Sequence, residues 1–152
     1  MKRILHSKVL YLLVRCALGL TFLYAGILKI FDPMGFAVAI DGYGLVPWSA
    51  ARFLGHALPV LEIASGLGLM LDVRGSLALI LFQVVVFMAV LGWGIHIGLD
   101  ADCGCFGPET PKDSGQSALW ESLYRDLLMF AGCLLLYWQR RAAGFRPFPA
   151  KR

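Results

Sequence analysis

The stretch from Val9 to Ile30 is 22 residues long and carries only two charged side chains, Arg15 and Lys29. As a helix rising 1.5 Å per residue it measures about 33 Å, enough to cross the hydrocarbon core of a bilayer. Lys2, Arg3 and Lys8 precede it, as basic residues precede the apolar core of a signal peptide. It is longer than such a core, however, and its Gly26-Ile-Leu-Lys29 end offers no small-x-small cleavage site, so it reads as an uncleaved span. The rest of the chain agrees: 59% of the residues are hydrophobic, 16% are charged and the mean hydropathy is +0.70, too apolar for a soluble domain of 152 residues.

The pattern predicts one all-α domain over 1–152, a polytopic membrane protein built as a four-transmembrane-helix bundle. Its helices fall at about 9–30, 53–71, 76–98 and 117–138, followed by a basic tail over 139–152. Between the first two, Asp32-Pro33, Asp41-Gly-Tyr-Gly44 and Pro47-Trp48 break the chain, with room for a short interfacial helix over 36–40. Tyr43 and Trp48 there suit headgroup level. The link from Asp72 to Gly75 is so short that the helices it joins must be antiparallel neighbours. Ser117 is a candidate N-cap for the last helix. Only 127–138 of that helix is fully apolar, so Glu121, Arg125 and Asp126 are expected at the interface or lining the bundle.

With four spans, both termini and the 72–75 link share one side, and segments 31–52 and 99–116 share the other. Lys2, Arg3, Lys8, Arg140, Arg141, Arg146, Lys151 and Arg152 crowd the first side. Segment 99–116 has Asp100, Asp102, Glu109 and Asp113 against Lys112 alone. The Lys/Arg asymmetry puts the termini in the cytoplasm and segment 99–116 in the periplasm or outside the cell, for a multi-pass protein of a bacterial inner membrane. The net charge of +4 follows from this topology and implies no nucleic-acid partner.

Segment 99–116 contains Asp102-Cys-Gly-Cys-Phe-Gly107. Gly104 alone separates Cys103 from Cys105, so the chain holds the two sulfurs near each other, and glycine permits the tight backbone a bridge would need. Such a bridge is strained, and strain favours exchange over bracing. Two other uses of the pair remain open: a static bridge in an assembly factor, or thiolates holding a soft metal ion with His96 nearby in sequence, although one pair makes a weak metal site. Cys16 and Cys133 lie at similar depth and are a candidate second thiol pair, or simply small apolar packing residues.

Polar residues within the spans form a second constellation. Arg15, Gly19, Gly26 and Lys29 lie within about 40° of one direction on the first helix. Gly55, Pro59, Glu62 and Gly66 cluster likewise on the second, with Pro59 positioned to kink it. Small residues let helices approach closely and buried charge demands a partner, so Arg15 and Glu62 are expected to pair, either fastening the helices or serving a quinone or a proton. Lys29, Gln83, Trp93 and His96 are candidate cofactor-binding residues, with Tyr24 and Trp48 as further candidate walls of a quinone site. No cofactor follows firmly from the residues alone.

Arg15-Cys-Ala-Leu-Gly-Leu-Thr-Phe-Leu-Tyr-Ala-Gly-Ile-Leu-Lys29, the intramembrane Glu62 and Asp102-Cys-Gly-Cys-Phe-Gly107 resemble the MauE branch of the MauE/DoxX redox-associated membrane proteins. The likeness runs from the first helix to the last. It implies a four-helix membrane bundle associated with a periplasmic thioredoxin-like protein of the MauD kind. It also implies a role in disulfide formation or maturation of an exported cysteine-containing client, which for this branch is methylamine dehydrogenase. DoxX relatives further imply coupling to a membrane quinone. On this resemblance Cys103 and Cys105 are the exchanging pair, with Asp102, Gly104, Phe106 and Gly107 supporting them.

Overall fold

The computed structural model describes residues 8–99 and 116–143. Cys103 and Cys105, with Asp102, Gly104, Phe106 and Gly107, lie outside the described residues, as does the tail beyond residue 143. The described chain is all helical: α1 (Lys8–Phe31), α2 (Pro33–Gly42), α3 (Trp48–Met70), α4 (Ser76–His96) and α5 (Gln116–Ala143). Segment 31–52 therefore holds a helix of ten residues. Asp32 caps it by accepting a 2.8 Å hydrogen bond from the Gly35 N–H, and Pro33 fills the first helical position, where no N–H is needed. Ser117 falls inside α5, which starts one residue earlier.

Among the described residues, three helices, α1, α3 and α4, are long and apolar enough to cross a membrane. Only 28% of the most apolar stretch of α4 is buried inside the protein. Phe53, Phe82 and Leu128 point outward at 71%, 65% and 75% exposure, a surface that water would not tolerate and lipid would. The chain is a multi-pass membrane protein. α5 is the longest helix, but its charged first turns lower its hydropathy.

α1 and α3 form the most extensive interface. A Cβ on Gly66 would lie 2.7 Å from the Gly19 carbonyl oxygen, and one on Gly26 would lie 2.8 Å from the Pro59 carbonyl oxygen. The two backbones therefore touch wherever the small faces meet, which no larger residue permits. The contacts are antiparallel and in register: seven residues along α1 from Gly19 to Gly26 match seven back along α3 from Gly66 to Pro59.

α3 ends in a Schellman motif, with Val73 N–H donating to Gly68 O at 2.7 Å and Asp72 N–H to Leu69 O at 3.0 Å. Asp72 takes the left-handed position, φ +57°, that glycine usually fills. α4 ends the same way with Gly98 at φ +69°. α5 runs the length of the bundle: Leu119 packs with Tyr43, Leu91 and Leu99 at one end, and Arg140 reaches Asp72 at the other. The principal core lies between, around Leu69, Ile80, Val84, Cys133 and Leu136.

Candidate functional site: a buried ion pair beside an apolar cavity

Lys29 and Glu62 occupy the α1–α3 seam with side chains each 1% exposed, and the Lys29 Nζ lies 2.5 Å from Glu62 Oε1. The register explains the pairing. Gly26 sits directly on the Glu62 turn, and helical side chains lean towards their own N-terminus, so Lys29 leans back over Gly26 while Glu62 leans along α3 towards it. The ammonium is roofed by two aromatic rings, Phe36 of α2 at 4.8 Å and Phe87 of α4 at 5.0 Å, which offer it their negative faces.

The expected Arg15–Glu62 pair is not formed. Arg15 instead binds Asp72, Nη1 to Oδ2 at 2.9 Å. The Gly19–Gly66 contact places the start of α1 beyond the end of α3, so Arg15 lies level with the link, about ten residues and hence about 15 Å from the Glu62 turn along α3. Asp72 also accepts hydrogen bonds from Tyr11 Oη at 2.9 Å and Arg140 Nη2 at 2.6 Å, and Arg140 Nε donates to Tyr11 Oη at 3.1 Å. Sequence reasoning missed Tyr11, Asp72 and Arg140 as a group. An aspartate in a four-residue link between apolar spans was the available signal.

Behind the ion pair the polar chain continues. Ser65 Oγ donates to the Glu62 backbone carbonyl at 3.0 Å and accepts from Gln83 Nε2 of α4 at 3.2 Å, so Gln83 braces the Glu62 turn. Glu62 Oε2 is buried and has no hydrogen-bond partner. Next to the pair lies a chamber of about 20 Å³, lined on its polar side by Thr21, Lys29, Glu62 and Asp126, which is space for one water. Asp126 is 4% exposed, so α5 turns that carboxylate inward to line the bundle.

A larger cavity of about 270 Å³ opens between α2, α3 and α4. Phe36, Ile40, Tyr43, Leu58, Phe87 and Val90 are among its walls. Tyr43 is 5% exposed and packs against Gly94, so it belongs to the interior and not to the headgroup layer. Trp93 and His96 do not line this cavity: both face outward, ring centroids 6.1 Å apart. Tyr24 and Trp48, at 58% and 42% exposure, are likewise outside its walls. Of the four candidate cofactor residues only Lys29 stands behind the cavity wall, through Phe36 and Phe87. Cys16 and Cys133 are both free thiols, and Cys133 is fully buried as a small apolar member of the main core. Among the described residues, no three His, Cys, Asp or Glu side chains are grouped to hold a metal ion.

These features define a helical integral membrane protein in which a fully buried ion pair adjoins an apolar cavity. The chain belongs to the MauE family, methylamine utilisation protein MauE, which it matches over residues 7–139. No curated protein and no solved structure matches it.

Proposed function

We propose that this chain is a thiol–disulfide redox protein of four spans, with α5 as the fourth. Cys103 and Cys105 exchange electrons with an extracytoplasmic thioredoxin-like protein and so support disulfide formation in an exported client. A membrane quinone takes up the electrons. Both termini are cytoplasmic, and the Cys-Gly-Cys segment faces the periplasm or the exterior.

The observation that carries the reading is the polarity of the bundle. Leu99 and Leu119, which flank the cysteine segment, pack together with Tyr43 and Leu91 at the end opposite the Asp72–Arg15–Arg140 cluster. Lys8, Arg15, Arg74, Arg140 and Arg141 lie at the latter end, which favours its placement in the cytoplasm. A cysteine pair at the other end meets a compartment where disulfides persist. Membership of a redox-associated family supports the same chemistry. One thiolate attacks a partner disulfide or is itself released from one, and its neighbour, two residues away, resolves the mixed disulfide at high effective concentration.

Single Cys103→Ser and Cys105→Ser variants test it. One of the two is expected to trap a mixed disulfide with a thioredoxin-like protein and to fail in client oxidation. Normal client maturation in both variants would sink the exchange mechanism and leave an assembly role. Loss of a bound soft metal ion in both would mark a metal-handling protein instead.

A further inference from the structure

We infer that the small chamber lined by α1, α3, α4 and α5 is a proton site, in which one water molecule joins the Glu62 and Asp126 carboxyl groups and a single proton is shared between them. The inference goes beyond the thiol chemistry and does not draw on it. Lys29 occupies Glu62 Oε1, whereas Glu62 Oε2 is buried without a hydrogen-bond partner. A buried carboxyl oxygen left bare is costly, so a donor is expected at it. The chamber that Glu62 lines has a volume of about 20 Å³, which admits one water and little else. Its other polar walls include Thr21 of α1 and Asp126 of α5. Thr21 Oγ1 donates to the Ala17 carbonyl at 2.9 Å and keeps its lone pairs for a water to donate to.

The groups around the chamber select a proton over other ligands. Lys29 from α1, Glu62 from α3 and Asp126 from α5 are the titratable residues that line it; α4 contributes the Phe87 ring, and α2 lays Phe36 over the Lys29 ammonium. Arg125, next to Asp126 in the chain, donates to Ser122 Oγ at 3.4 Å. Glu62 and Asp126 are 1% and 4% exposed, so bulk water does not screen them. Two carboxylates facing one small space repel each other, and a proton held between them removes the repulsion. A metal ion would meet the Lys29 ammonium, and Thr21, Glu62 and Asp126 offer fewer oxygens than the roughly six that a hard cation takes. The proton comes from water: one carboxyl O–H bond forms, and no electrons move.

The test is infrared spectroscopy of the purified full chain, in lipid nanodiscs at neutral pH, where exposed carboxyl groups are ionised. The C=O stretch of a protonated carboxyl group is expected, and it should shift in protein prepared in heavy water. Isotopic labelling of the aspartate carboxyl carbons alone, and of the glutamate carboxyl carbons alone, should each move that band, because either group holds the proton. Asp126→Asn is expected to abolish it, since Glu62 then stays ionised against Lys29. Asp126→Glu should retain it at a shifted position and remains informative if Asp126→Asn does not fold. Asp41→Asn, which alters an exposed carboxyl, should leave it unchanged. Absence of a protonated carboxyl band, a band moved by one label only, or a band that persists in Asp126→Asn would overturn the shared proton. Loss of the band on addition of sodium chloride would overturn it as well and mark a cation site.

Discussion

Lys29 of α1 and Glu62 of α3 meet 2.5 Å apart, fully inside the protein, on the strength of a register set by glycines rather than by their own charges. Backbone contact at Gly19–Gly66 and Gly26–Pro59 fixes the slide of one helix on the other. The ion pair then forms where the leaning side chains converge.

Truncating one member of this pair leaves an uncompensated charge in the interior. Lys29→Met or Glu62→Leu alone is expected to destabilise the protein by about 3–5 kcal/mol, while the double variant recovers most of the loss. Thermal unfolding of the four proteins in one detergent measures this as a double-mutant cycle. Additive losses would show that the pair is not coupled.

Gly66→Val should separate α1 from α3, because its Cβ would sit 2.7 Å from a backbone oxygen that has nowhere to go. The expected outcome is loss of folded protein from the membrane. Gly92→Ala, with nothing within 4 Å of the added carbon, is the matched control and should accumulate normally. Equal accumulation of the two would refute the close approach.

At Asp72 three substitutions separate backbone from charge. Asp72→Gly keeps the left-handed turn and loses both arginine contacts; Asp72→Asn tolerates the turn and keeps hydrogen-bond acceptance; Asp72→Ala loses both features. Melting temperatures should fall least for Asn and most for Ala. An alanine variant as stable as the parent would mean that neither the turn nor the arginines matter.

Sidedness is open to a direct measurement. A membrane-impermeant thiol reagent should label Cys103 and Cys105 in intact, reduced spheroplasts, and a cysteine placed at Arg146 only after lysis. Labelling of the first pair solely in inverted vesicles would reverse the orientation and remove the compartment argument.

The small faces of α1 and α3 were legible in the sequence because a period of 3.6 residues fixes which direction a side chain takes around a helix. Periodicity says nothing about how far one helix slides along the other, and this is why Arg15 was matched to Glu62 when Lys29 holds it and Arg15 holds Asp72. The roles of Phe36, Tyr43 and Phe87 were hidden for a related reason. Aromatic residues near a membrane boundary look alike in sequence whether they face headgroups, as Trp48 is free to do, or close over an interior, as Tyr43 does. For Asp126 the sequence leaves two places, the interface or the lining of the bundle, and its burial selects the second.

The fork at Asp72 also imposes an order on biogenesis. Its first arginine, Arg15, leaves the ribosome before it, whereas its second, Arg140, follows only after 67 further residues have been made. During synthesis the α1–α3 hairpin is thus held by half of its latch. The second arginine contact can form only once the last turn of α5 has been made, so a chain interrupted before Arg140 leaves Asp72 with Tyr11 and Arg15 alone. That unfinished contact is a local mark by which an incomplete product differs from a complete one.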